Sequence, residues 1–415
     1  MAGLGAGGAT SLTVGVSGGP DSLALTVLAH GWARTRGARL VALIVDHGLR
    51  PEAAAEAAAT ASLLARLGIA SRVLKLRGLG PGPGMPARAR AARLALLEAA
   101  ASELAIPLLL LGHHACDQAE TLLLRALGGS GPAGLAGMPA RRETARVALL
   151  RPFLATPPGR LRATLSAAGL RWHSDPTNAD PKYLRARLRA ARADADGEGV
   201  ATAALVAAAA AAGQSRAADE RSQAALLAAR ASLYPEGYAR LSPGPIAPAA
   251  LAALLRALSG AEFAPALSRV AALAACPGPA TLAGVRLLPA GRLGPGWLLV
   301  REARAMAPPV PAISGIRWDG RFRLAPAARP PPGARLGALG ATAAARLRRH
   351  SPLPAAILAT LPALRLGEEV AAVPHLGYPD LPRCALVPVL FSPNEPAAGA
   401  PFTIVETGGD AETAL

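Results

Sequence analysis

The 415-residue chain is 52% hydrophobic and carries 44 basic against 27 acidic side chains, a net charge of +17. That length and apolar content exclude a disordered chain and give room for two or three domains with ordinary cores. The charge points to an acidic partner such as nucleic acid or an anionic surface.

Only two of the basic residues are lysines, Lys75 and Lys182, and alanine is abundant throughout, so part of the arginine content is attributable to GC-rich coding. The sign of the charge survives that discount. Cys116, Cys276 and Cys384 lack CxxC or cysteine–histidine ligand spacing, which argues against a disulfide framework and against a zinc or iron–sulfur site. MAGLGAGGATSL at the N-terminus lacks the basic and apolar regions of a signal peptide. Neither IPLLLLG (106–112) nor the alanine run at 201–212 approaches the ~20 apolar residues of a membrane span. A cytoplasmic protein with no membrane partner is expected.

In chain order, four short apolar runs read as strands: SLTVGV (11–16), RLVALIVD (39–46), ASRVLKL (70–76) and IPLLLLG (106–112). Between them EAAAEAAATASLLARL (52–67) and ARARAARLALLEAAASEL (87–104) read as helices. This alternation predicts an α/β fold, a parallel sheet with helices on both faces, with ligands at the carboxyl ends of the strands. Residues 1–195 form the expected catalytic domain. Within it, 141–192 carries twelve Arg or Lys against three acids, a surface suited to a phosphate backbone or simply to solvent.

An alanine-rich, strongly helical stretch, 198–233, lies in an expected connecting region, 196–248. YPEGYARLSPGPIAP (234–248) reads as a break. Residues 249–415 are expected to be a smaller α+β region, with a strand in GWLLVRE (296–302) and a helix near 340–350.

The segment VGVSGGPDSLAL (14–25) joins the first strand to a helix beginning near Ser22. Backbone N–H groups at the positive end of a helix bind phosphate without a cationic side chain. The Walker lysine is missing and GVSGGP does not match GxGxxG. SGGPDS, Ser17, Gly18, Gly19, Pro20, Asp21 and Ser22, resembles instead the signature of the PP-loop ATP pyrophosphatases, which split ATP between its α and β phosphates. The resemblance makes these residues the ATP site. Asp21 then holds magnesium or answers the helix dipole, two roles the sequence leaves open.

Further segments narrow the likeness: VDHGLR (45–50), ARAAR (89–93), GHHACDQAET (112–121), GSGPAGLAGM (129–138), RPFL (151–154), DPTN (175–178) and RARLR (185–189). Their order and rough spacing are similar to the tRNA(Ile)-lysidine synthases, densely over about 11–190. TLAGVRLLP, LLVRE and WDGRF extend it patchily. What the resemblance implies is ATP-dependent ligation of free L-lysine to carbon 2 of the wobble cytidine in the CAU-anticodon isoleucine tRNA, with Mg2+ as cofactor. Whether the chain forms a homodimer stays open.

The same resemblance distributes roles. Asp46 and His47 end the second strand, where Asp46 serves magnesium or the adenosine, or is a turn carboxylate. His113 assists proton movement or donates to phosphate. Asp117 and Glu120, three apart on one helix face, resemble the family's lysine-holding pair, with helix capping a rival account for Asp117. Arg90, Arg93 and Arg185 are candidates to oppose the charge at the α-phosphate, Arg185 as a catalytic residue and Arg90 and Arg93 as phosphate or tRNA contacts. Two departures stand out: Gly128 replaces an arginine and Ala186 an asparagine, and Arg125 is a candidate to compensate the first. A PP-loop thiolase lacks its expected cysteines here, and a noncatalytic RNA-binding relative sits poorly with intact SGGPDS, Asp117 and Glu120.

Overall fold

A computed structural model describes residues 1–46, 48, 52–78, 80, 82, 84–144, 146–173, 182 and 184–405. The chain divides into two compact units, Met1–Asp219 with Ala400–Leu415, and Glu220–Gly399.

The first unit runs β1 (Ser11–Val16), α1 (Pro20–Arg34), β2 (Arg39–Asp46), α2 (Ala53–Arg66), β3 (Ala70–Lys75), α3 (Met85–Glu103), β4 (Leu108–Leu110) and α4 (Ala115–Leu127). It continues through α5 (Pro132–Leu135), β5 (Arg141–Glu143), β6 (Ala148–Leu150), α6 (Pro158–Ala167), α7 (Leu184–Arg192) and α8 (Val200–Arg230). The sheet order is β3-β2-β1-β4-β6-β5. All neighbours are parallel except the edge strand β5, which runs antiparallel to β6. The expected parallel sheet is therefore present with one antiparallel edge.

Two-residue alternation builds both faces. Leu40, Ala42 and Ile44 of β2 join Leu12, Val14 and Val16 of β1 under α1, α2 and α6. Val41 and Leu43 point the other way, onto Leu97, Ala100 and Ala101 of α3. Gly15 permits that second layer to close, since a Cβ there would stand 3.1 Å from Leu97 Cδ1. Because β2 and β4 flank β1 on opposite sides, a crevice opens at the carboxyl end of β1, the usual ligand position in such sheets.

The second unit holds β7 (Ala231–Leu233), β8 (Tyr238–Leu241), α9 (Pro248–Ser259), α10 (Leu267–Ala275), β9 (Ala280–Leu282), β10 (Val285–Pro289), β11 (Trp297–Arg301), β12 (Val310–Pro311) and β13 (Arg317–Trp318). After them come β14 (Phe322–Leu324), β15 (Arg335–Ala338), α11 (Gly340–Leu347), α12 (Ala355–Leu358), β16 (Pro362–Leu366), β17 (Glu369–Ala372), α13 (Leu381–Ala385) and β18 (Val389–Phe391). These make antiparallel sheets of five, four and three strands, ordered β7-β8-β11-β10-β9, β12-β15-β16-β17 and β13-β14-β18. Leu299 faces α9 while Leu298 and Val300 face α11 and α12.

The expected connector 196–248 differs from what is found. Its first part is α8, but Ala231–Leu241 supplies β7 and β8, and the division between units falls inside α8. Residues 400–405 return to the first unit, where Phe402 packs with Ala136 and Ala217. No helix among the described residues is long and apolar enough to cross a membrane.

Candidate active site

The loop after β1 is shaped by two glycines. Gly18 has φ +80°, a region that costs other residues ~1–2 kcal/mol, and a Cβ there would lie 2.8 Å from Thr60 Oγ1. Gly19 caps α1 with extended backbone, and Pro20 opens the first turn, where its missing N–H costs nothing. Ser22 locks the turn: its Oγ accepts from the Ser17 N–H and donates to Gly19 O, both at 3.1 Å. With its proton committed to Gly19, the 3.1 Å contact to Ser17 Oγ has Ser17 donating. The first-turn N–H groups of α1 have no intrahelical acceptor, so the loop presents donors and the positive helix end to an anion.

β4 delivers two histidines to the same place. Gly112 permits the approach: a Cβ there would meet Ser22 Cα at 3.0 Å and the Asp21 carbonyl at 3.1 Å. His114 Nε2 lies 3.5 Å from Asp21 Oδ2 and 3.6 Å from Asp117 Oδ2. Burial opposes its charge, but hydrogen bonding to Asp21 and Cys116 and the nearby Asp117 outweigh it and push the imidazole up to about 10. His114 is therefore an imidazolium at neutral pH. Asp117 responds in kind: burial favours its neutral form, yet the His114 charge, the His114 backbone N–H and Arg189 hold it below its usual value.

His113 is the opposite case. Burial, joined by Arg151, Arg90 and Arg93, depresses it to about 3 against the pull of Asp117. A neutral ring beside an arginine has one tautomer available: Nε2 accepts from Arg90 Nη2 at 2.7 Å, and the proton sits on Nδ1. That Nδ1 is buried and has no hydrogen-bond partner among the described residues. Arg151, which sequence reasoning did not single out within RPFL, is also buried; desolvation with Arg142 and Arg90 lowers it to about 10, and its Nη1 donates to Pro139 O at 2.8 Å.

The expected lysine-holding pair is separated in role. Asp117 accepts from the His114 N–H at 3.2 Å, the capping arrangement expected as its rival account, and keeps 17% side-chain exposure. Glu120 is fully buried, and both its oxygens are taken by Arg189, from Nε at 2.9 Å and Nη2 at 3.1 Å. In this structure, then, Glu120 of the expected lysine-holding pair meets an arginine of the chain itself. Arg189, the last residue of RARLR, was missed as an individual residue.

Among the remaining candidates, Arg185 lies close enough to depress Arg90, after burial, so these two share one electropositive region; Arg93, also lowered by burial, adjoins Arg90. Ala186 is buried, and Gly128 ends α4. Arg125, the candidate to compensate for Gly128, is engaged locally: its Nη1 donates to Gly134 O and Gly137 O, both at 2.7 Å, tying a loop together. Asp46 Oδ1 accepts from the Gly48 N–H at 3.1 Å, the turn role among its alternatives. His47 and DPTN (175–178) lie outside the described residues.

For magnesium, the residue at the phosphate-binding loop is Asp21, whose Oδ1 is buried with no hydrogen-bond partner among the described residues. Among the described residues no cluster of three or more His, Cys, Asp or Glu could hold a metal. One carboxylate suits magnesium, which takes most of its ligands from substrate phosphates and water. Beside the loop lies a cleft of about 120 Å³ lined by Asp21, His114, Cys116, Arg162, Arg189 and Asp194, among others.

Comparison with known proteins agrees with this geometry. A family model described as a PP-loop domain matches residues 4–193. Proteins named tRNA(Ile)-lysidine synthase from a Bradyrhizobium species and from Rhodopseudomonas palustris are each 48% identical, over 43% and 44% of this chain. Those matches span 51% and 53% of the relatives, so the chain matches about half their length. One of the same name from Mesorhizobium japonicum is 38% identical over 90% of this chain and 86% of its own.

Proposed function

Because the chain belongs to the tRNA(Ile)-lysidine synthase family, we propose that it activates the wobble cytidine of the CAU-anticodon isoleucine tRNA with ATP and ligates free L-lysine to it. The cytosine O2 attacks the α-phosphorus and pyrophosphate leaves; the lysine side-chain amine, having lost a proton, then attacks ring carbon 2 and AMP leaves. The observation that carries this reading is the loop itself, in which Gly18 and Gly19 aim the open N–H groups of α1 at the crevice beside His113 and His114.

The chain's own groups divide the work. First-turn amides of α1 hold the departing pyrophosphate. The His113 Nδ1–H, fixed by Arg90, donates to a phosphate oxygen, and Arg90, Arg93, Arg151 and Arg185 oppose the charge that builds at the α-phosphorus. His114 keeps Asp21 and Asp117 in place, and Asp117 is the carboxylate of the expected pair left to meet a lysine ammonium. Magnesium bound at Asp21 would neutralise phosphate charge. We place the reaction in the cytoplasm, where tRNA and ATP meet, with further tRNA contact from the second unit, whose α11 region exposes Arg346 and Arg348. The test is mass spectrometry of isoleucine tRNA after incubation with the protein, ATP, magnesium and isotope-labelled lysine. A labelled mass gain at the anticodon is expected; its absence overturns the reading.

A further inference from the structure

Glu120 and Arg189 form a pair whose two members are unequal. The carboxylate has no exposed surface, whereas the Arg189 side chain is 40% exposed and lines the cleft beside Asp21. Glu120 occupies Nε and one Nη2 hydrogen, so the rest of the guanidinium fork is left for a ligand in that cleft. A buried carboxylate that cannot itself be reached still fixes the direction of an arginine that can.

The lining of the cleft says what kind of ligand suits it. The guanidinium groups of Arg189 and Arg162 line this space together with His114 and the carboxylates of Asp21 and Asp194. Arg162 is paired to the exposed Asp196 and Asp194 accepts from the Gly199 N–H at 3.1 Å, while Arg189 is the guanidinium of the lining held by a fully buried carboxylate. A polyanionic backbone would meet two carboxylates here, whereas a zwitterion meets complementary charge at both ends. The cleft is small, about 120 Å³, which suits a small molecule rather than a polynucleotide.

We propose that Arg189, held by buried Glu120, receives the α-carboxylate of the amino acid substrate in this cleft; the inference rests on the lysine-ligating reading above. Glu120 is then a positioning residue that acts through Arg189, and the ammonium groups of the amino acid turn to Asp117 and the cleft's acidic members.

The test compares lysine with lysinamide, which keeps both amines and replaces the carboxylate by a neutral amide. In the wild type, KM for lysinamide should exceed that for lysine by about ten- to a hundredfold, the range of one charge-assisted contact. Arg189→Ala should raise KM for lysine by a similar factor while KM for lysinamide hardly moves, so that discrimination collapses. Removing Arg189 alone strands a buried carboxylate and threatens folding, so the double variant Glu120→Gln with Arg189→Met, which removes both charges, is measured beside it and should show the same collapse. A variant that retains wild-type discrimination overturns the proposal, as does one whose KM rises for tRNA and not for lysine. If the wild type ligates neither compound to tRNA, the reading of the whole site fails instead.

Discussion

Replacing His114 with glutamine removes the positive charge that lies between Asp21 and Asp117 while keeping a side chain of similar reach. A pKa displaced from 6.5 to about 10 corresponds to several kcal/mol of preference for the imidazolium in the folded state, at ~1.4 kcal/mol per tenfold. Allowing for relaxation at a cleft wall, we take the loss as ~3 kcal/mol, or a fall in Tm of about 6–12 °C for a unit of this size. The sign of the pH dependence follows from the raised pKa. The contribution is complete below pH 6.5 and is lost as pH rises through about 10, so the gap between wild type and variant should be widest near pH 6 and close above pH 10. Thermal melts across that range supply the assay, with an NMR titration of the ring beside them. A gap that stays constant from pH 6 to pH 10.5, or a His114 that titrates near 6.5, refutes the reasoning.

Gly18→Ala forces a Cβ into a backbone at φ +80° and within 2.8 Å of Thr60 Oγ1; calorimetry should show at least about a tenfold loss of ATP affinity, with ~1–2 kcal/mol of stability. Arg90→Gln should raise the pKa of His113 from about 3 without returning it to 6.5, because burial, the larger cause, remains; NMR showing titration at 6.5 would contradict this. With its pKa depressed, the neutral His113 adds stability that is present above pH 6.5 and lost as pH falls toward about 3, a loss that acid melts of wild type and His113→Gln would resolve. Arg125→Ala removes two hydrogen bonds to the 134–137 loop and should cost ~1–3 kcal/mol with ATP affinity unaltered; weakened ATP binding at unchanged stability would contradict its structural role.

Much of the first unit is legible in the sequence because its signals are local. Residues 11–16 and 39–46 form strands at the expected bounds, since alternating apolar side chains serve the two faces of a covered sheet. SGGPDS is legible for the same reason: glycine is needed at φ +80° and a serine hydroxyl closes the turn five residues on. Side-chain partners across long separations left no such trace. Glu120 meets Arg189 from 69 positions away, and nothing in a helix-face spacing distinguishes a carboxylate open to a substrate from one already paired. His113 and His114 look alike as neighbours, yet the pleat of the chain after β4 sends one among arginines and the other between two carboxylates. The strands β7 and β8 are short: β7 sits at the end of the alanine-rich helical stretch and β8 within the turn-rich 234–248, so each was masked by its surroundings.

The central claim is that main-chain donors at the end of β1 hold the departing pyrophosphate while a nucleobase oxygen takes the adenylyl group. Incubating the protein with isoleucine tRNA and ATP labelled at the α-phosphorus, with lysine left out, tests it most directly. The label should appear on the tRNA at the wobble cytidine, with pyrophosphate released; label that remains in ATP, or that appears on lysine rather than on RNA once lysine is added, would contradict it.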